Sequence, residues 1–319
     1  MAKHTVLVTG VAGFIGSNFV PQFRKQFPKW NVVGIDDFST GRRDAVDPRI
    51  VFYEGTITDL KFLDKIFKKH RPHYVVHFAA VPRVAYSVEH PTETTISNIV
   101  GTVALLEKCR DYNVKRLVYS SSSSIYGGAK YLPTKESENP PHPVSPYGLQ
   151  KYVGEPFGKM FCDLYGIDTV ALRYFNVFGP GQYGESAYAT VICGWLEGIY
   201  FPKRKKPFLE GDGKQSRDFC YVDNVVQANI KAMLSKRKFG GEAFNVAHGE
   251  RTDLLTVKHL IEEYTGQKLI LEKRPPRIGD VRHTHADISK AKKWFGYTPK
   301  IHFEEGLKRT IAWFKTRKK

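Results

Sequence analysis

Nowhere in the 319 residues is there an apolar run of about 18, the length a helix needs to cross a bilayer. The opening "MAKHTVLVTG" passes straight into β-branched apolar residues, without the basic-then-apolar plan of an export signal. A cytoplasmic chain with no membrane partner is expected. Cysteine is also scarce: Cys109, Cys162, Cys193 and Cys220 lie far apart with no C-x-x-C pair. Neither a zinc site nor a disulfide framework is indicated, and no metal is expected. Acidic residues are the third shortage, since 32 Asp and Glu against 49 Lys and Arg leave a formal charge of +17, a field that attracts polyanions. The densest basic runs are "KRKK" at Lys203 to Lys206 and "TRKK" at the C-terminus. They have no interleaved aromatic residues and match no nucleic-acid motif, so they read as solvated loop and tail. No specific nucleic-acid partner is expected.

The 41% hydrophobic and 13% aromatic content suffices for a well-buried core arranged as one large domain or two lobes. "TVLVT" (Thr5 to Thr9), "NVVGID" (Asn31 to Asp36), "HYVVHFAA" (His73 to Ala80) and "RLVYSS" (Arg116 to Ser121) read as strands. Between or after them, "FIGSNFVPQFRKQF", "LKFLDKIFKKH" and "ISNIVGTVALLEKCRDY" take helical spacing. Strands separated by helices imply crossovers, hence an α/β fold with a doubly wound parallel sheet of Rossmann type. After about Asn176 the alternation fades and the chain becomes richer in loops and charge, as expected of a smaller C-terminal α/β substrate lobe. The division predicted is 1–176 for the dinucleotide-binding domain and 177–319 for the substrate lobe, with about 219–249 returning to the first.

The turn "GVAGFIG" spaces Gly10, Gly13 and Gly16 three apart, after a strand and before a helix. There the backbone bends tightly, and the helix N-terminus can approach a pyrophosphate without Cβ obstruction. Asp36 ends the second strand about twenty residues on, where a carboxylate accepts from a ribose 2′-hydroxyl; this favours NAD over NADP. Arg42 and Arg43 follow in the same loop and offer partners for a 2′-phosphate. Further on, in "PVSPYGLQKYVGE", Ser145 suits an N-cap, Pro146 the first helical position, and Tyr147 and Lys151 share one helix face.

Taken in order, "TGVAGFIG", "HFAA", the serine run "YSSSSSIYGG" and Tyr147-x-x-x-Lys151 resemble the extended short-chain dehydrogenase/reductase family. "LRYFNVFGPGQ", "GDGKQSRDFCYVDNVV", "FNVAHGE" and "RIGDVRHTHAD" are similar to its nucleotide-sugar branch, in particular the UDP-hexose 4-epimerases. The resemblance implies an NAD-dependent isomerase that inverts the C4 hydroxyl of a UDP-hexose through a transient 4-keto sugar. It makes Ser122, Tyr147 and Lys151 the catalytic set, Ser122 being four residues before the tyrosine of "YG". It implies cofactor contacts from Gly10, Gly13, Phe14, Ile15, Gly16, Asp36, Asp37, Ile57, Ala79, Ala80, Asn98, Ser120, Tyr147 and Lys151. Substrate contacts fall to Ser122, Ser123, Ser124, Tyr147, Asn176, Arg217, Phe219, Arg277, Asp280 and Thr284. Relatives that dehydrate the sugar carry acidic residues after the catalytic serine, whereas Ser123 and Ser124 stand here. Thr56 occupies the place where many relatives have an Asp that meets the adenine.

For Tyr147 to act near pH 7 its pKa must fall by about three units, roughly 4 kcal/mol. One cation near 4 Å supplies about that at an effective dielectric near 20, so Lys151 and the nicotinamide ring are the expected sources. Thr284 fills the family's gate position, where a small residue implies room for an N-acetyl group, hence UDP-GlcNAc and UDP-GalNAc beside UDP-Glc and UDP-Gal. The alternatives are a UDP-glucuronate 4-epimerase or decarboxylase, with Arg83 for the carboxylate, and a non-catalytic NAD- or RNA-binding relative. Relatives are often homodimers through the helix that carries Tyr147, so a homodimer is expected.

Overall fold

The computed structural model describes residues 4–184, 190–204, 206–276 and 281–317. Seven parallel strands form its main sheet: β1 (Thr5–Thr9), β2 (Asn31–Asp36), β3 (Val51–Glu54), β4 (Tyr74–His77), β5 (Arg116–Ser122), β6 (Asp168–Tyr174) and β7 (Ala243–Val246). Their spatial order is β7-β6-β5-β4-β1-β2-β3, which reverses direction between β1 and β4. That reversal opens a crevice at the C-terminal strand ends, the ligand position of doubly wound sheets.

The strands read as continuous apolar runs because both faces are covered. In β1, Val6 and Val8 join the cluster of Phe19, Phe23, Val225 and Met233, while Leu7 between them joins Leu63, Phe67, Leu105 and Leu117. The first face belongs to helices α1 (Phe14–Gln26) and, much later in the chain, Val222–Leu234. The second belongs to α2 (Leu60–His70), α3 (Gly101–Asp111) and α4 (Pro146–Tyr165). Asp59 caps α2, accepting from the amides of Lys61 and Phe62. Ser145 caps α4 by accepting from Gly148 N at 3.1 Å, and Pro146 takes the first turn.

The later elements include α5 (Val191–Tyr200), α6 (the Val222–Leu234 helix), α7 (Leu254–Thr265) and α8 (Phe303–Thr316). A separate core, with Trp195, Leu196, Val257, Ile261, Leu307 and Phe314, joins α5, α7 and α8. The chain after Asn176 therefore builds this second core and also returns α6 and β7 to the main sheet. A buried ion pair holds that return: Arg116 Nε meets Asp168 Oδ2 at 2.6 Å. The same guanidinium donates to the carbonyls of Ala232, Met233 and Ser235, which close the end of α6. Among the described residues no helix is long and apolar enough to cross a membrane.

Candidate active-site cleft

The C-terminal ends of β1, β2, β4, β5 and β6 open into one cleft of ≈ 730 Å³. Gly10 turns out of β1 at φ 73°, and a Cβ placed there would lie 2.6 Å from the backbone nitrogen of Ala79. Only glycine lets the two strand ends close up in this way. Helix α1 starts at Gly13 without a side-chain cap, so its first amides face the cleft with no capping oxygen on them. Those amides and the positive end of the helix dipole suit an anion.

Asp36, 7% exposed, sits on the same wall, its Oδ2 accepting from Ala12 N at 2.9 Å and Oδ1 from Phe38 N at 2.8 Å. Burial raises its pKa, and the two amides act against that. Each oxygen keeps a second lone pair. Arg43 is spent on Glu54 and Arg42 pairs with Asp44, so both guanidiniums of this loop already face carboxylates. Phe14, Ile15, Gly16, Asp37, Ile57, Ala79 and Ala80 also line the cleft. Asn98 lies behind the wall, 1% exposed, bonding both backbone groups of Val81 and the Gln150 side chain.

The serine run spreads its side chains over several tasks. Ser120 bonds the Tyr174 hydroxyl, Ser121 donates to Glu155 at 2.6 Å, and Ser122 Oγ caps the following turn by accepting from Ser124 N. All of Ser120 to Ser124 line the cleft, with Tyr147 and Lys151 from α4. Tyr147 is 8% exposed; burial pushes its phenol up to about 12, with a hydrogen bond from Ser122 opposing this. Lys151 donates to the Ser120 carbonyl at 2.8 Å, and burial brings its ammonium down to about 7. Lys151 is one of the two expected sources of the shift in Tyr147, the nicotinamide ring being the other. In this site burial works against the charged form of both groups, so the electrostatic demand is larger.

Toward the second core, Asn176 lines the cleft at φ 31°, a backbone conformation uncommon outside glycine. Its amide donates to Thr284 Oγ1 at 2.9 Å and to the Asp218 carbonyl. Thr284 Oγ1 also accepts from Asp218 N, so the proposed gate is fastened rather than free to rotate. Arg217, Phe219 and Thr284 lie outside the cleft lining: Arg217 reaches the carbonyls of Ser216 and Arg282, Phe219 stacks on Phe303, and Thr284 touches the lining through Asn176. Arg277 and Asp280 lie outside the described residues. Among the lining residues missed from sequence are Ser17, Asn18, Gln182, Tyr183, Thr190 and Trp313. Trp313 comes from α8, some three hundred residues from the glycine turn, and no local pattern signals such an approach.

A doubly wound sheet with a glycine turn, an acidic residue closing β2 and a buried Ser-Tyr-Lys set defines a dinucleotide-dependent enzyme of the short-chain type. The chain belongs to the NAD dependent epimerase/dehydratase family, whose model matches residues 6–247. It is similar to the UDP-glucose 4-epimerase of Thermotoga maritima solved with UDP-glucose, at 39% identity and TM-score 0.91, covering 98% of each chain. A UDP-N-acetylglucosamine 4-epimerase from Methanobrevibacter ruminantium, in complex with UDP-N-acetylmuramic acid, is 36% identical with TM-score 0.90 over 99% of each chain. The UDP-glucuronate 4-epimerase of Thermodesulfobacterium geofontis is 36% identical over 97% of this chain and 95% of its own.

Proposed function

We propose that this chain is an NAD-dependent UDP-hexose 4-epimerase. The observation that carries the reading is the convergence of Ser122, Tyr147 and Lys151 in the same cleft as the uncapped start of α1. Gly10, Gly13 and the first amides of α1 would hold the pyrophosphate, and Asp36 the adenosine ribose; with Arg42 and Arg43 already paired, the loop favours NAD over NADP. When bound in its oxidised form, NAD supplies a hydride acceptor and a positive charge.

Ser122 would orient the sugar 4-hydroxyl, and Tyr147 would take its proton as the C4 hydrogen departs as hydride and give that proton back to O4 when hydride re-enters from the other face. Bringing the phenol from about 12 to near 7 corresponds to roughly 7 kcal/mol. One cation at 4 Å contributes about 4 kcal/mol at an effective dielectric near 20. Burial also disfavours the charged form of Lys151, so Lys151 and the positive charge that oxidised NAD would bring act together on the phenol. The absence of a carboxylate at Ser123 and Ser124 supports inversion over elimination of water.

Thr284 is small and hydrogen-bonded to Asn176, which lines the cleft, and this supports room for an N-acetyl substituent. Turnover of UDP-Glc, UDP-GlcNAc and UDP-GlcA, each incubated without added NAD and resolved by NMR, tests this. Thr284→Tyr is expected to lower the UDP-GlcNAc rate by at least about tenfold and to spare UDP-Glc. An unchanged UDP-GlcNAc rate would refute the gate. A second reading, UDP-glucuronate as substrate, is favoured by Arg83, which lines the same cleft as Ser122 to Ser124. Preference for UDP-GlcA in the same panel would select it. A homodimer completes the proposal, and the exposed apolar side chains Leu149 and Leu164 on α4 and Ile96 and Val100 before α3 support it.

A further inference from the structure

Away from the cleft, the loop after β7 and the residue preceding α8 bring His248, Glu250 and His302 together. Their ligating atoms all lie within 4.8 Å of one another. His248 is 7% exposed, yet neither ring nitrogen has a hydrogen-bond partner among the described residues. A buried imidazole without a partner forfeits a hydrogen bond and demands an explanation. Its Nδ1 is 3.5 Å from Glu250 Oε2, too long for a good hydrogen bond, and its ring centroid is 4.7 Å from that of His302.

The geometry points to a divalent-metal site, of the zinc class, held by His248, Glu250 and His302. Ligands of a tetrahedral zinc at about 2.0–2.2 Å stand roughly 3.3–3.5 Å apart, so the present spacing needs only a modest closure. His248 is fixed, whereas Glu250 and His302 are exposed and free to turn in. Two imidazoles and a carboxylate are a donor set that suits zinc. The positive end of α8 works against a cation here, and Glu304 and Glu305 in its first turn offset it.

The site would be structural. It would clasp the start of α8 to the 248–250 loop, whose His248 and Gly249 amides donate to Asp218. Asp218 in turn holds Thr284 and, through it, Asn176 on the cleft wall. The cluster was invisible in sequence because His302 stands 54 residues from His248, with no short motif linking them.

The test is titration of the untagged, chelator-treated chain with Zn²⁺ by calorimetry and with Co²⁺ by visible absorption, with the melting temperature followed alongside. Expected are one equivalent of tight Zn²⁺, intense low-coordinate Co²⁺ bands and a metal-dependent rise in melting temperature. Glu250→Gln and His302→Gln, both at exposed positions, should each weaken Zn²⁺ binding at least about tenfold, since even outer partners of such ligands cost that much. Binding to the unaltered chain no tighter than to the Glu250→Gln/His302→Gln double variant would overturn the site. The readout is independent of UDP-sugar turnover, so its failure leaves the proposed activity untouched.

Discussion

Replacing Tyr147 with Phe is expected to lower kcat for C4 inversion by roughly 10²- to 10⁴-fold, the contribution of a positioned general acid/base. The ring is 8% exposed and packed at the start of α4, so Phe preserves the volume and removes one oxygen. KM should change little, because the lost interaction acts in the transition state. Steady-state kinetics on the preferred UDP-sugar check this, and a variant that retains most of its kcat would show that another group moves the proton. The magnitude follows from the site: among the described residues, the other buried titratable group of the set is Lys151, already committed to the Ser120 carbonyl.

The second large effect concerns stability beneath the cleft. Arg173 on β6 meets Glu155 on α4 in a two-pronged pair, 2.9 Å and 2.7 Å, with both side chains 7% exposed. Arg173 also donates to the Tyr126 hydroxyl, which donates to Asn245 on β7, while Ser121 donates to Glu155. Arg173→Met strands a buried carboxylate and is expected to destabilise the fold by about 3–5 kcal/mol. Glu155→Leu should cost a similar amount by stranding the guanidinium. The double variant should recover much of the loss, because a buried pair replaced by apolar volume is often close to neutral. Guanidinium unfolding midpoints of the three variants decide the matter; additive losses in the double variant would mean that the pair is not the source.

Which parts were legible follows from how each segment is buried. β1 and β2 were read to the residue because sheet interior on both faces demands an unbroken apolar run. Helix α2 was read equally well, with its amphipathic spacing and Asp59 at its head. β6 was not identified as a strand, although it is fully buried: "DTVALRY" begins with Asp168 and includes Arg173, charges that look like surface until Arg116 and Glu155 are known to face them. β3 escaped because "VFYE" is a four-residue strand at the sheet edge, half exposed, too short for a period to show. The predicted strand from His73 to Ala80 is only Tyr74–His77, since the backbone of Phe78 to Ala80 leaves the ladder to form cleft wall.

The site divides in the same way. The glycine turn and Asp36 carry their own local geometry in their spacing, whereas a Tyr and a Lys four apart read as a surface pair until the family resemblance supplies a role for Tyr147 and Lys151. Ser122 needed the family resemblance, because five adjacent serines are chemically alike until their partners are known. Burial of Tyr147 and Lys151 had no sequence signature, and it changes the energetics most, raising one pKa and lowering the other.

In the proposed reaction the hydrogen on C4 leaves and returns as hydride within the cleft while Tyr147 handles the hydroxyl proton. Epimerisation in D₂O with no coenzyme added, followed by NMR of the inverted UDP-sugar, tests it directly. The account predicts inverted product with protium retained at C4, since hydride does not exchange with solvent. Deuterium at C4 of that product would contradict it.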